Sequence, residues 1–177
     1  IFSLILRFYD VTGGRITLDG IDIRELSQNK LRDSLGYVPQ KGVLFSGTIR
    51  SNLKFGGDEI SDEDMKYAAE IAQAFDFIEA KASKFESPVS QDGTNVSGGQ
   101  RQRLSIARAI AKKPKVFLFD DSFSALDYKT DAALRHALDE HIGEATKLIV
   151  AQRISTIMRA EQIIVLDEGN VVGIGTH

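Results

Sequence analysis

The run Val116-Phe117-Leu118-Phe119, followed directly by Asp120-Asp121, constrains the fold of this chain more than any other segment. Four consecutive apolar residues, bounded by Pro114 and by carboxylates, suit a parallel strand covered on both faces rather than a half-exposed antiparallel one. Open parallel sheets hold their ligands at the carboxyl ends of their strands, which puts Asp120 and Asp121 where a ligand would sit. Taken alone, the pair is also compatible with a solvated acidic turn after a buried strand.

Upstream lies Asn95-Val96-Ser97-Gly98-Gly99-Gln100-Arg101-Gln102-Arg103-Leu104, in which a Ser-Gly-Gly opens an amphipathic helix. Two residues without side chains let backbone N–H groups come close to an anion, and the helix adds its positive N-terminal dipole. Ser97 contributes a hydroxyl at the same end. An isolated Ser-Gly-Gly is more often an ordinary helix start. Its spacing from the acidic strand end makes a phosphate site the better reading.

The remaining chain alternates strands and helices. Residues 15–18 and 21–23 flank Asp19-Gly20 as a hairpin, and residues 36–39 form a short strand ending at Gln40. Ser61-Asp62-Glu63-Asp64 caps a helix running through Ala74, and a shorter one spans residues 75–82. Residues 147–151 and 162–166 read as further buried strands, the second turning through Asp167-Glu168-Gly169-Asn170 into residues 171–174. Residues 1–9 read as a buried helix that begins without an initiator methionine or cap.

These motifs together resemble the nucleotide-binding domain of ATP-binding cassette (ABC) transporters, of the exporter type. Val96 to Gln100 is similar to the family signature, Val116 to Asp120 to the Walker B strand, Ser124-Ala125-Leu126-Asp127 to the D-loop, and Val38-Pro39-Gln40 to the Q-loop. Phe45-Ser46-Gly47-Thr48-Ile49-Arg50-Ser51-Asn52-Leu53 resembles the exporter segment that faces the membrane domain. The resemblance implies an α/β P-loop NTPase fold with a mostly parallel sheet. The core would occupy residues 1–45 and 114–177, and a helical, helix-only signature subdomain residues 46–113.

It also implies roles. Asp120 would hold Mg2+, with Gln40 contacting the ion or the attacking water. Ser97, Gly98, Gly99 and Gln100 would bind the γ-phosphate of ATP held mainly by a second nucleotide-binding domain, and Asp127 would cross to the partner's site. The family's glutamate base is replaced by Asp121, and its switch histidine by Gln152 in Ala151-Gln152-Arg153. The carboxylate is one methylene shorter, and the amide donates a hydrogen bond but carries no proton charge. Both changes fall in one composite site. The expectation is therefore the slow-site subunit of a heterodimeric exporter, attached to a transmembrane domain on the cytoplasmic face of the cell membrane.

The Walker A pattern Gly-x-x-x-x-Gly-Lys-Ser/Thr does not occur in the 177 residues, and the abrupt opening leads us to expect a fragment that binds ATP poorly by itself. A homodimeric exporter, a non-catalytic nucleotide-sensing module and a soluble ABC ATPase of DNA repair or translation are the alternatives. The compact residues 45–52 argue against the last. With a net charge of -3, nucleic acid is not an expected partner, and Arg101, Arg103, Arg108, Lys112, Lys113 and Lys115 read as a solvated helix face. The absence of cysteine excludes disulfides and thiolate metal sites.

Overall fold

A computed structural model describes residues 1–57 and 59–177; Asp58, inside the segment 46–113, lies outside the described residues. In chain order the elements are α1 (Phe2–Ile5), β1 (Thr17–Leu18), β2 (Ile21–Asp22), α2 (Gln28–Asp33), β3 (Leu35–Val38), β4 (Gly47–Thr48) and α3 (Ile49–Leu53). They continue with α4 (Asp62–Ile71), α5 (Phe75–Glu79), β5 (Pro88–Val89), α6 (Gly98–Ala111) and β6 (Val116–Asp120). The last are α7 (Tyr128–His141), β7 (Thr146–Val150), α8 (Ile154–Ile157), β8 (Ile163–Asp167) and β9 (Asn170–Gly175).

The central sheet has the order β3-β6-β7 and is parallel throughout, with Val38 beside Phe119 and Asp120 beside Val150. Its middle strand is buried on both faces, as its unbroken apolar run predicts. Phe117 and Phe119 enter a core built with α3, α4, α6 and α7, while Val116 and Leu118 join Phe2, Leu6, Leu31 and Leu35 on the other side. Three two-stranded antiparallel ladders surround this sheet. One of them, β4 with β5, lies within residues 46–113, so that segment carries a small ladder as well as helices.

Helix starts follow their caps. Ser61 accepts from the Asp64 amide with three acidic residues in the first turn of α4, which suits the positive end of the helix dipole. Thr48 and Ser51 close a capping box on α3. The β1–β2 hairpin turns through Asp19 at φ 50° and Gly20 at φ 82°, the left-handed pair that a tight two-residue turn needs.

Three expectations are corrected. The opening helix is one turn, not nine residues, because Arg7 takes φ 55° and sends its guanidinium to Asp10 and to the carbonyls of Ile23 and Leu26. The helix after Ser61 stops at Ile71, since Gln73 also adopts a left-handed conformation. The strands at 147–151 and 162–166 form, but they are not fully buried. Among the described residues, β7 is the sheet edge and β8 pairs only with β9, with no broad packing of that hairpin on another element. Ile164, Val165, Val171 and Ile174 are accordingly exposed.

Three of the cationic residues around α6 also differ from a solvated face, whereas Lys113 and Lys115 are exposed as expected. Arg103 lies over the Phe77 ring and donates to the Gln73 carbonyl, Arg108 donates to the Val43 carbonyl, and Lys112 donates to the Arg32 carbonyl. α6 packs against α3, α4 and β3 at once, so its long side chains must cross buried ground to reach acceptors. Burial lowers the pKa of both Arg103 and Arg108.

Candidate functional site

The site begins where two neighbouring parallel strands end. β3 runs out at Val38 and delivers Pro39 and Gln40; β6 runs out at Asp120 and delivers Asp121. Asp121 takes φ 47°, a left-handed conformation in which aspartate is far more tolerated than most side chains. The turn is held from three sides. The Asp121 amide donates to the Val150 carbonyl at 2.8 Å, the Ser124 hydroxyl donates to the Asp121 carbonyl at 2.8 Å, and the buried Ser122 hydroxyl donates to the Val38 carbonyl at 2.7 Å.

This geometry brings Gln40, Asp120 and Asp121 together. The Gln40 amide Nε2 donates to Asp121 Oδ2 at 3.1 Å, and the Tyr37 hydroxyl donates to Asp120 Oδ2 at 3.3 Å. Burial and then the Asp120 carboxylate raise the Tyr37 pKa, so the phenol stays a donor. Asp121 is 9% exposed, whereas Asp120 is only partly covered and Gln40 is open to solvent.

Among the described residues, no group of three or more His, Cys, Asp or Glu side chains has the geometry of a metal cage. Asp120 and Gln40 would supply the oxygen ligands for a Mg2+ ion arriving with phosphate. Such an ion keeps most of its waters and takes one or two carboxylates from the protein.

The Ser-Gly-Gly segment forms a second, separate feature. Ser97 is the N-cap of α6 and closes a capping box: its Oγ accepts from the Gln100 amide at 3.2 Å, and Gln100 Oε1 accepts from the Ser97 amide at 3.2 Å. Among the described residues the Ser97 hydroxyl donates to no acceptor, which leaves its proton available. A Cβ built at Gly98 meets nothing within 4 Å, so nothing in the chain itself requires a glycine there. One at Gly99 would lie 3.6 Å from the Ala125 carbonyl, which brings the helix start close to the loop before α7.

Asp127 caps α7, accepting from the Thr130 amide and hydroxyl, and these bonds lower its pKa. Gln152 follows β7 and is exposed, with no side-chain hydrogen bond among the described residues. Its neighbour Arg153 donates to the Ser124 carbonyl, which ties the segment to the turn after Asp121. Neither Gln152 nor Ser97 to Gln100 hydrogen-bonds with Gln40, Asp120 or Asp121 among the described residues.

Sequence reasoning missed Tyr37, Arg153 and Gln102. The amide of Gln102, 1% exposed, donates to the Pro39 carbonyl at 3.1 Å and accepts from the Gly42 amide at 2.8 Å. The only signal for it was a polar residue on the face of α6 that also carries Ser105.

A parallel sheet with paired carboxylates at a strand end, beside a glycine-opened capped helix, defines a nucleotide-binding α/β domain. The family model described as ABC transporter matches residues 1–124, and the chain belongs to that family. It is 46% identical to an uncharacterized ABC transporter ATP-binding protein of Mycobacterium tuberculosis, over 99% of this chain and 30% of that protein. It is 43% identical to an ATP-dependent lipid A-core flippase of Vibrio vulnificus, over 100% of this chain and 30% of the flippase. A putative multidrug export ATP-binding/permease protein of Staphylococcus aureus is 41% identical, over 100% of this chain and 31% of its own length. Among solved structures, a bacterial Atm1-family ABC exporter with ATP bound superimposes with a TM-score of 0.95 at 39% identity, covering 99% of this chain and 31% of that one. The chain thus spans about a third of the length of these relatives.

Proposed function

We propose that this chain is the ATPase domain of an exporter and that it works in a head-to-tail pair with a second nucleotide-binding domain. The observation that carries this reading is the contact of Gln40 with Asp121 beside Asp120, at the carboxyl ends of β3 and β6. Asp121 takes the proton of the attacking water as it adds to the γ-phosphorus of ATP and ADP leaves. Gln40 orients that water and the carboxylate. Asp120, with Gln40, would hold Mg2+, which when bound would supply neutralisation of the charge on the phosphate oxygens.

Ser97, Gly98, Gly99 and Gln100 face the nucleotide of the partner domain, and Asp127 lies at the same junction. The open space at Gly98 and the free proton of Ser97 support an external phosphate there. Loss of the γ-phosphate loosens the pair, and the transmembrane domain answers through residues 45–52. Phe45 and Phe55 stack with centroids 4.3 Å apart and are both exposed, an apolar platform suited to a membrane-domain segment. No helix among the described residues is long and apolar enough to cross a membrane. The chain acts on the cytoplasmic face, joined to that domain.

The shorter carboxylate of Asp121 and the uncharged Gln152 make this domain's own site the slower of two, which favours a heterodimer. The test is ATP turnover by the assembled exporter with the partner domain's catalytic base disabled, so that only this domain's site is read. Asp121→Asn should reduce kcat by about a hundredfold or more, the usual contribution of a positioned base. Turnover at the wild-type rate would overturn the assignment.

A further inference from the structure

We propose that Gln102 is a positioning residue for the Gln40–Asp121 pair, mounting the Gln40 loop rigidly on the helix that begins at Ser97. This rests on the ATPase reading above.

The argument begins with what the position demands. Gln102 is 1% exposed, and it faces a carbonyl on one side and an amide on the other. A charge is excluded by burial, and an apolar side chain would leave both backbone groups unpaired. A neutral primary amide supplies donor and acceptor together. Gln102 therefore pairs with Pro39 and Gly42 much as a neighbouring strand would, and the two residues it grips flank Gln40 and Lys41.

Two further contacts fix the same loop to the same helix. A Cβ at Gly42 would come within 2.9 Å of the Arg101 carbonyl and 3.0 Å of Ser105 Oγ, so the loop backbone lies directly on α6. The Val43 carbonyl accepts from Ser105 Oγ at 3.4 Å and from Arg108 Nη2 at 2.7 Å. Residues 102, 105 and 108 lie on one face of α6, so the loop is held along nearly two turns.

The consequence is mechanical. Ser97 and Gln102 are separated by roughly 7.5 Å along one helix, at about 1.5 Å per residue, with no flexible joint between them. A shift of the helix start as phosphate meets Ser97 and Gly98 carries the Pro39 and Gly42 mounts with it. Gln40, and through it Asp121, then moves in register with the other nucleotide site.

The test is a double-mutant cycle in the assembled exporter with the partner domain's catalytic base disabled, so that turnover reports this domain's site. Gln102→Met, nearly isosteric, should lower kcat about tenfold while KM for ATP changes less than about twofold, since a misplacement of order 1 Å costs up to about a hundredfold. In a Gln40→Ala background the same change should alter kcat by less than about twofold, because residues acting as a unit are non-additive. Fully additive losses would show a merely structural side chain and overturn the proposal. Should Gln102→Met fail to assemble, Gln102→Asn, which keeps a neutral amide but is one methylene shorter, enters the same cycle. Hydrogen exchange at the Gly42 amide gives a readout independent of turnover. It should accelerate in Gln102→Met, and unchanged protection would refute the mount. A wild-type exporter without ATP hydrolysis would instead refute the ATPase reading, leaving the exchange measurement to decide on Gln102.

Discussion

Gly98 separates a structural glycine from a functional one. Because a Cβ there meets nothing within 4 Å, Gly98→Ala should leave thermal stability unchanged or raise it slightly, alanine being the better helix residue by up to about 1 kcal/mol. On the proposed function, ATP-driven pairing and turnover should nevertheless fall, since the methyl group would stand where the partner's phosphate is to approach; equal turnover in both proteins would remove Gly98 from the site. Ser122→Ala is the opposite case. Its buried hydroxyl bonds the Val38 carbonyl, and its loss should cost about 1 to 3 kcal/mol in denaturant unfolding by leaving that acceptor bare. At this scale the sequence was legible where a residue acts on its near neighbours. Ser61 as a cap depends on a partner three positions away. Gln102 was not legible, because its partners Pro39 and Gly42 lie 63 and 60 positions back and meet it only in the folded chain. Tyr37 is a similar case, as a strand tyrosine gives no sign of reaching a carboxylate 83 residues on.

Elements obeyed their start signals better than their stop signals. The cap of α4 was visible because a side chain accepting a backbone amide is a local event. The ends of α1 and α4 were not, since left-handed Arg7 and Gln73 belong to residue types without strong preference for that conformation. Strand exposure was likewise hidden: β7 and β8 have apolar sequences, but burial depends on what packs over them. α4 offers a quantitative check. Asp62, in its first turn, bonds Lys54 and Arg50, and these lower its pKa from 3.8 to about 2. A carboxylate with a lowered folded pKa stabilises above its ordinary value and loses that contribution as pH falls toward the folded one. Asp62→Asn should therefore lower Tm at pH 7 in low salt, by a small amount because the group is exposed, and the difference should vanish as pH falls from 3.8 to about 2. A difference that persists at pH 2 would assign the effect to the cap region rather than to charge.

For the whole molecule, the fold was legible because one strand buried on both faces and one capped helix fix the layering, and both signals are continuous in sequence. The site was legible only as motifs, and in the function proposed above its catalytic strength would turn on two residues, Asp121 and Gln152. Each can be converted to the residue the exporter pattern leads one to expect. Asp121→Glu lengthens the base by one methylene, which at the 1 Å scale is worth up to about a hundredfold in rate. It also places glutamate at φ 47°, where a side chain less tolerant than aspartate destabilises by about 1 kcal/mol, so Tm should fall slightly as activity rises. Gln152→His adds a side chain able to donate while charged, next to the Arg153 tie that holds this segment to the Ser124 carbonyl. If this domain is the slow partner, the double variant should turn over ATP at least about tenfold faster than wild type when the other domain's base is disabled. The two single variants should each give less than their combination, because base and switch act on one phosphate. Robust turnover by two copies of the unaltered domain, equal to that of the double variant, would show that Asp121 and Gln152 already support full catalysis and would replace the heterodimer with a homodimer.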